Sequence, residues 1–264
     1  MFGPNTDIMT NLVTDFSHRD IHFVNLYKGL SNIMLDNAGL PRHKYDVIFM
    51  GGSGTLAIES VFWSVLHPID VIGNEGLWHD KWLEFDRRQP KSKTNGTHKL
   101  YCQLETSNGK TFDEPDCIVD GVSSFPYYDI PQNTKIFVTT SNKQLGSLAG
   151  LSIIFVRKDF WSEMQTDAIF SYMNLARYKN YGFIAQTPST APVTIFQHLH
   201  EQMVKFDVEK LRKKIDDNSE LLIDLFGGKP SPVFNISKDD IPIQIAHRYN
   251  LYGLHTDYIY VLFV

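Results

Sequence analysis

Cysteine is nearly absent from this sequence, with two in 264 residues, Cys102 and Cys117. A disulfide framework is therefore excluded. A chain of this length needs none, because it can bury roughly 70–75% of the surface that its unfolded form exposes. The N-terminal stretch lacks a basic start followed by an apolar run and does not read as a secretory signal, so a reducing, cytoplasmic setting is expected. No run approaches the roughly 18 apolar residues of a membrane span. Positive charge is not in surplus either: 25 Lys and Arg face 30 Asp and Glu, a net charge of −5. That balance argues against a nucleic-acid binder, which carries a basic domain or stripe. Metal ligands show no usable spacing, since His198-Leu199-His200-Glu201 lacks the second histidine position of a zinc-protease helix. Internal repeats and low-complexity tracts are missing too. What is present is 42% apolar, 13% aromatic and 21% charged residues, the composition of a folded chain of one or two domains.

The first firm element is Tyr45–Met50, a short apolar run suited to a buried strand, followed at once by Gly51-Gly52-Ser53-Gly54-Thr55. Apolar residues at helical spacing then run over 56–66 until His67-Pro68 stops them, giving strand, glycine-rich turn and helix. Further short strands are predicted at Ile69–Ile72, Leu100–Leu104, Cys117–Val119, Lys135–Thr139 and Ser152–Val156. With helical segments between them, the middle of the chain reads as α/β with a largely parallel sheet. From Pro192 to Phe226 the pattern predicts one long amphipathic helix, ended by Gly227-Gly228-Lys229-Pro230. A small α+β tail follows, with strands at 232–235 and 258–264 and a helix near 241–249. Arg87 to Gly96 is a basic, turn-rich surface loop.

Three features could carry chemistry. The turn at Gly52, Ser53, Gly54 and Thr55 offers backbone N–H groups and two hydroxyls at a helix N-terminus, where the dipole favours an anion such as phosphate. Alone it is a weak signal, and Ser53 is not a nucleophile elbow, because Thr55 stands where that motif needs glycine. The second feature is Asp120 at the end of an apolar strand, which by itself reads more readily as a strand-end cap. The third is Lys143, just beyond another buried strand; at the mouth of a sheet a lysine can lose solvation and become nucleophilic enough to form a Schiff base. Phosphate turn, aspartate and lysine in this order suit a pyridoxal 5'-phosphate site, with Asp120 on the pyridinium nitrogen and Lys143 on the aldehyde.

In this arrangement the chain resembles the class V aminotransferases of the fold type I pyridoxal phosphate enzymes, in particular the aminoethylphosphonate and alanine-glyoxylate aminotransferases. The resemblance rests on Gly3-Pro4, Ser17-His18-Arg19-Asp20 with Phe23, Gly52 to Thr55 with Glu59, Gly76-Leu77-Trp78 through Trp82, and Glu105-Thr106 with Gly109. It continues through Val119 to Ser124, Ser141-Asn142-Lys143, Gly150 to Val156 and Thr187-Pro188-Ser189-Thr190. It implies a three-layer fold type I PLP-transferase-like α/β architecture with a mainly parallel sheet and a reduced C-terminal α+β domain. Residues 1–190 would form the large PLP-binding domain with its N-terminal segment, and 191–264 the linking helix and small domain.

The implied site has Lys143 and Asp120 as catalytic residues, and Ser53, Gly54, Thr55, Trp78, Thr106, Asp120, Asn142, Lys143 and Thr187 around the cofactor, with no metal. Trp78 would stack on the pyridine ring, with His79 as a rival, and Thr187 would reach the cofactor phosphate of a neighbouring subunit in a homodimer. The implied partners are a small-molecule amino donor and an oxo acceptor, with no nucleic acid and no membrane. Two departures stand out. The stretch between Trp82 and Leu100 is short for the family, so a strand-helix unit is expected to be missing. The last arginine is Arg248, so nothing later can serve as the family's substrate-gripping arginine, and Arg19, Arg42 and Arg177 are candidate replacements. The same scaffold could also run another PLP reaction, decarboxylation or elimination, or be a catalytically reduced dimeric binding protein.

Overall fold

The computed structural model describes residues 16–88, 96–166, 171–237 and 258–262. Its elements follow the two periodicities of the sequence. Helix α1 (Ile21–Asn37) starts where the Asp20 side chain accepts from His22 N, and it buries Phe23, Tyr27, Leu30, Met34 and Leu35. These positions lie three to four residues apart, on one face. Strand β1 (Tyr45–Gly51) follows, then α2 (Gly54–Ser64), β2 (Ile69–Val71) and α3 (Leu77–Arg88). Strands β3 (His98–Cys102), β4 (Ile118–Asp120), β5 (Ile136–Thr140) and β6 (Leu151–Arg157) complete a six-stranded sheet.

The sheet order is β1-β6-β5-β4-β3-β2. Strands β2 to β5 are mutually parallel, and β6 runs antiparallel to both β5 and β1. Five strands thus point one way and β6 the other, in agreement with the expected mainly parallel sheet. Alternation along the strands divides the core between the two faces. Val47, Phe49, Tyr101, Val119, Phe137, Ile153 and Phe155 share one apolar cluster with α1 and with α5 (Val193–Val204). Ile48, Met50, Leu100, Ile118, Ile136, Val138 and Ile154 share the other with α2, Trp82 of α3, and α4 (Leu175–Phe183). The result is three layers, helices on both faces of one sheet. Phe196 keys α5 into its face: its ring centroid lies 5.0 Å from that of Phe23 and 5.3 Å from that of Phe49. Burying such a side chain contributes about 1.5–3 kcal/mol.

One expected element divides. The run predicted as a single helix over 192–226 is two, α5 and α6 (Val208–Phe226), interrupted at Lys205. Asp207 caps the second helix by accepting from Lys210 N at 3.0 Å. The apolar spacing hides this break, because Phe206 and Leu211 lie five residues apart and a helical stripe tolerates that gap. Glycine ends α6 as expected, with Gly227 at φ +74°. Strands β7 (Val233–Ser237) and β8 (Tyr258–Leu262) pair antiparallel in a separate two-stranded sheet. The expected helix near 241–249, Gly3-Pro4 and most of the basic loop lie outside the described residues. At the edge of the main sheet β2 pairs directly with β3, and the described residues between them form the single helix α3.

Candidate active site

Because β1, β3, β4 and β5 run in one direction, their carboxyl ends meet along one edge of the sheet. The β5–β6 connection returns at that same edge, where Gly52 N donates to Gly150 O at 2.9 Å and Ser141 N to Leu151 O at 3.0 Å. A cavity of about 350 Å³ opens there, in the position where open α/β sheets receive ligands. Its walls come from the start of α2 (Ser53, Gly54, Thr55), from α3 (Trp78, Trp82), from the end of β4 (Asp120) and from the loop after β5 (Asn142, Lys143).

At the helix end of the cavity, Ser53 is the N-cap of α2, and its hydroxyl accepts from Leu56 N at 3.3 Å. Gly54 is buried here for a steric reason. A Cβ at this position would lie 2.5 Å from Val122 Cγ2 and 3.1 Å from Thr140 Cγ2. Thr140 also lines the cavity, is 4% exposed, and its Oγ1 has no hydrogen-bond partner. An orphaned hydroxyl beside the positive end of a helix suits an anionic group that accepts hydrogen bonds, as a cofactor phosphate does.

At the centre, Asp120 has both carboxylate oxygens engaged. Val122 N donates to Oδ1 and Trp82 Nε1 to Oδ2, each at 3.0 Å. Burial pushes its carboxyl up to about 6, with Glu105 adding to the rise while the two hydrogen bonds and Lys143 oppose it. Burial also lowers the Lys143 amine below the ordinary lysine range, against the pull of Asp120 and Cys102. The two groups therefore share a desolvated site with opposite charges. Cys102 stands directly across from Asp120 in the β3–β4 register and lines the cavity, with its thiol donating to Leu104 O at 3.2 Å. Burial pushes that thiol far above its ordinary range, so it stays protonated and inert. Cys117 is likewise buried.

The side wall is α3. Trp78 lines the cavity, and its indole Nε1 donates to Thr106 Oγ1 at 2.7 Å. His79 is not among the lining residues, and its ring faces Asp80 at 3.3 Å. Glu105 fixes the start of this helix. Fully buried, it accepts from Trp78 N and His79 N at 3.0 and 3.2 Å, and from the Ser107 backbone and hydroxyl at 3.0 and 2.7 Å. Gly76 leaves room for that carboxylate, since a Cβ there would lie 2.3 Å from Glu105 Cγ.

Seven expected site residues thus line one cavity: Ser53, Gly54, Thr55, Trp78, Asp120, Asn142 and Lys143. Thr106 joins them through the Trp78 indole. Thr187 stands apart. It is buried, donates to Ser189 O at 2.7 Å, and borders a separate small cleft with Gly51 and Tyr172. Arg19, Arg42 and Arg177 do not line the cavity either: Arg19 bonds Gln186, Arg42 pairs with Asp36, and Arg177 donates to Pro188 O. Trp82, Glu105 and Thr140 were not expected as site residues. Trp82 could have been found from its place one helical turn after Trp78, and Thr140 from sharing a strand face with Ile136 and Val138.

Comparison with known proteins bears on the fold. No protein-family model matches the chain, and no curated protein sequence does. Among solved structures, an aspartate aminotransferase of subgroup IV from Thermus thermophilus superposes with a TM-score of 0.80 at 14% identity, covering 100% of this chain and 91% of that one. An alanine-glyoxylate aminotransferase from Nostoc sp. gives 0.80 at 14% identity, covering 99% and 87%. A phosphoserine aminotransferase from Trichomonas vaginalis, solved with PLP bound, gives 0.68 at 14% identity, covering 89% and 80%. The chain shares the fold type I α/β architecture of these aminotransferases, as its motifs led us to expect.

Proposed function

We propose that this protein is a pyridoxal 5'-phosphate dependent aminotransferase of class V type. It moves an amino group from an amino acid or aminophosphonate to an oxo acid or aldehyde acceptor. One observation carries the reading: a buried carboxylate, a partly buried lysine, an indole wall and a helix N-terminus with an orphaned hydroxyl line the same cavity. The solved structures that share the fold are aminotransferases, one of them with PLP bound.

When bound, PLP supplies a ring that draws electrons from the substrate's α-carbon. The protein does the rest. The N–H groups at the start of α2, with Ser53, Thr55 and Thr140, would hold the phosphate, and Trp78 would wall the ring. Asp120 would accept from the ring nitrogen, and Lys143 would be the covalent anchor. The Lys143 amine would be the group that moves the substrate's α-proton, as base and then as acid. Its lowered proton affinity favours the neutral amine, which covalent attachment and proton abstraction both need. Asn142 borders the same space beside Lys143.

Two copies associate, with Thr187 serving the partner's cofactor, in a cytoplasmic homodimer. Within each copy, residues 1–190 form the cofactor-binding domain and 191–264 the linking and small domain. Protein incubated with PLP is expected to gain a visible absorption band, and borohydride should fix the cofactor on Lys143. Amino donors should then convert the cofactor to pyridoxamine phosphate. An unchanged band and adduct in Lys143→Ala would overturn the assignment, and a strictly monomeric active protein by light scattering would overturn the shared site.

A further inference from the structure

We propose that Trp82 is a positioning residue, whose indole N–H holds Asp120 as a fixed, acceptor-only partner for the cofactor's ring nitrogen. This rests on the functional reading above. Trp82 is 1% exposed, and its Nε1 lies 3.0 Å from Asp120 Oδ2, while Val122 N holds Oδ1 from the other side. With a donor on each oxygen the carboxylate plane cannot turn. Chemistry sharpens the point, because an indole N–H and a backbone N–H are donors only. Neither can take the carboxyl proton, and both favour the ionised form, in which any third partner of Asp120 has to be a donor. A protonated ring nitrogen is such a partner.

The same helix also carries the ring wall. Trp82 follows Trp78 by one turn of α3, and their ring centroids are 5.7 Å apart. Glu105 pins the first turn of that helix through the Trp78 and His79 N–H groups. Stacking surface and charge partner are therefore set by one rigid element, and a shift of α3 moves both together.

The chain has four tryptophans, so its ¹⁵N indole spectrum is simple enough to read directly. The Trp82 signal can be assigned by elimination with Trp63→Phe, Trp78→Phe and Trp161→Phe, without altering Trp82. In cofactor-free protein we expect this resonance to move with pH as Asp120 titrates, to stop titrating in Asp120→Asn, and to shift again when PLP is added. Trp82→Phe should bind PLP about tenfold more weakly, the loss expected for one hydrogen bond to a charged group. It should also move the Asp120 midpoint to higher pH. A Trp82 signal that ignores Asp120→Asn overturns the proposal, as does one unmoved by PLP that binds normally at Lys143. A chain that shows the coupled titration but binds no PLP overturns the functional reading and leaves the hold on Asp120 standing.

Discussion

Ser147 Oγ and His198 Nδ1 lie 2.9 Å apart, both side chains fully buried, and this contact ties the loop that carries Lys143 to helix α5 on the sheet face. The same loop closes on itself where Gly146 N donates to Lys143 O at 3.0 Å and Ser147 N to Ser141 O at 2.9 Å. Lysine placement thus depends on a polar contact more than 50 residues away in sequence. Ser147→Ala should cost about 1–3 kcal/mol in denaturant unfolding, since it deprives a buried imidazole nitrogen of this partner. A loss below about 0.5 kcal/mol would show that the contact does not anchor the loop.

Asp120 makes cofactor-free stability depend on pH in a definite direction. The native carboxyl keeps its proton up to about pH 6, whereas in the unfolded chain it ionises near 4. Between those values the native state binds the extra proton, so stability falls as pH rises through the window and stays reduced above it. The difference is worth roughly 3 kcal/mol. Asp120→Asn should remove this part of the fall in thermal melts recorded from pH 4 to pH 7. An unchanged pH profile in that variant would contradict the buried, proton-retaining carboxyl.

Gly54→Ala tests the fit of the anion end of the cavity. Its Cβ would meet Val122 Cγ2 at 2.5 Å and Thr140 Cγ2 at 3.1 Å, so the start of α2 must move away from the β4 and β5 loops. Weaker binding of PLP by at least tenfold is expected in equilibrium dialysis, with a destabilisation of about 1–3 kcal/mol from overpacking. Retention of full affinity would place the phosphate elsewhere.

The depressed proton affinity of Lys143 predicts its reactivity. Covalent attachment of PLP, followed by borohydride trapping and mass spectrometry, should rise with pH to a midpoint below the ordinary lysine range. Asp120→Asn removes the neighbouring negative charge and should push that midpoint lower still. A midpoint at or above the free-lysine value would mean that the amine is solvated.

Glu105 should matter mainly through the start of α3. Glu105→Ala leaves the first N–H groups of the helix and the Ser107 donors without this acceptor, at a cost of about 1–3 kcal/mol. Near-ultraviolet circular dichroism, read at the tryptophan bands, should change along with stability, because Trp78 loses its mount. A loss of stability with the tryptophan signal intact would separate the cap from the indole wall.

The sequence by itself determined the order of the parts. Short apolar runs, the glycine turn at 52–54, Asp120 at one strand end and Lys143 beyond the next are local patterns, and local patterns survive in one dimension. They sufficed for the strands and the α/β class, while the three-layer architecture and most of the cavity lining were implied by the family resemblance that those motifs carry. Tertiary structure decided the rest. The break at Asp207 escaped the periodicity because a capping side chain works without interrupting an apolar stripe. Glu105 and Trp82 became part of the site only when β3, β4 and α3 came together, since a hydrogen bond between residues 38 apart leaves no mark in spacing. The three candidate arginines were picked out by charge, yet packing directs them to other partners. Which residues line the sheet edge follows from strand direction; what orients them follows from neighbours that only the fold supplies.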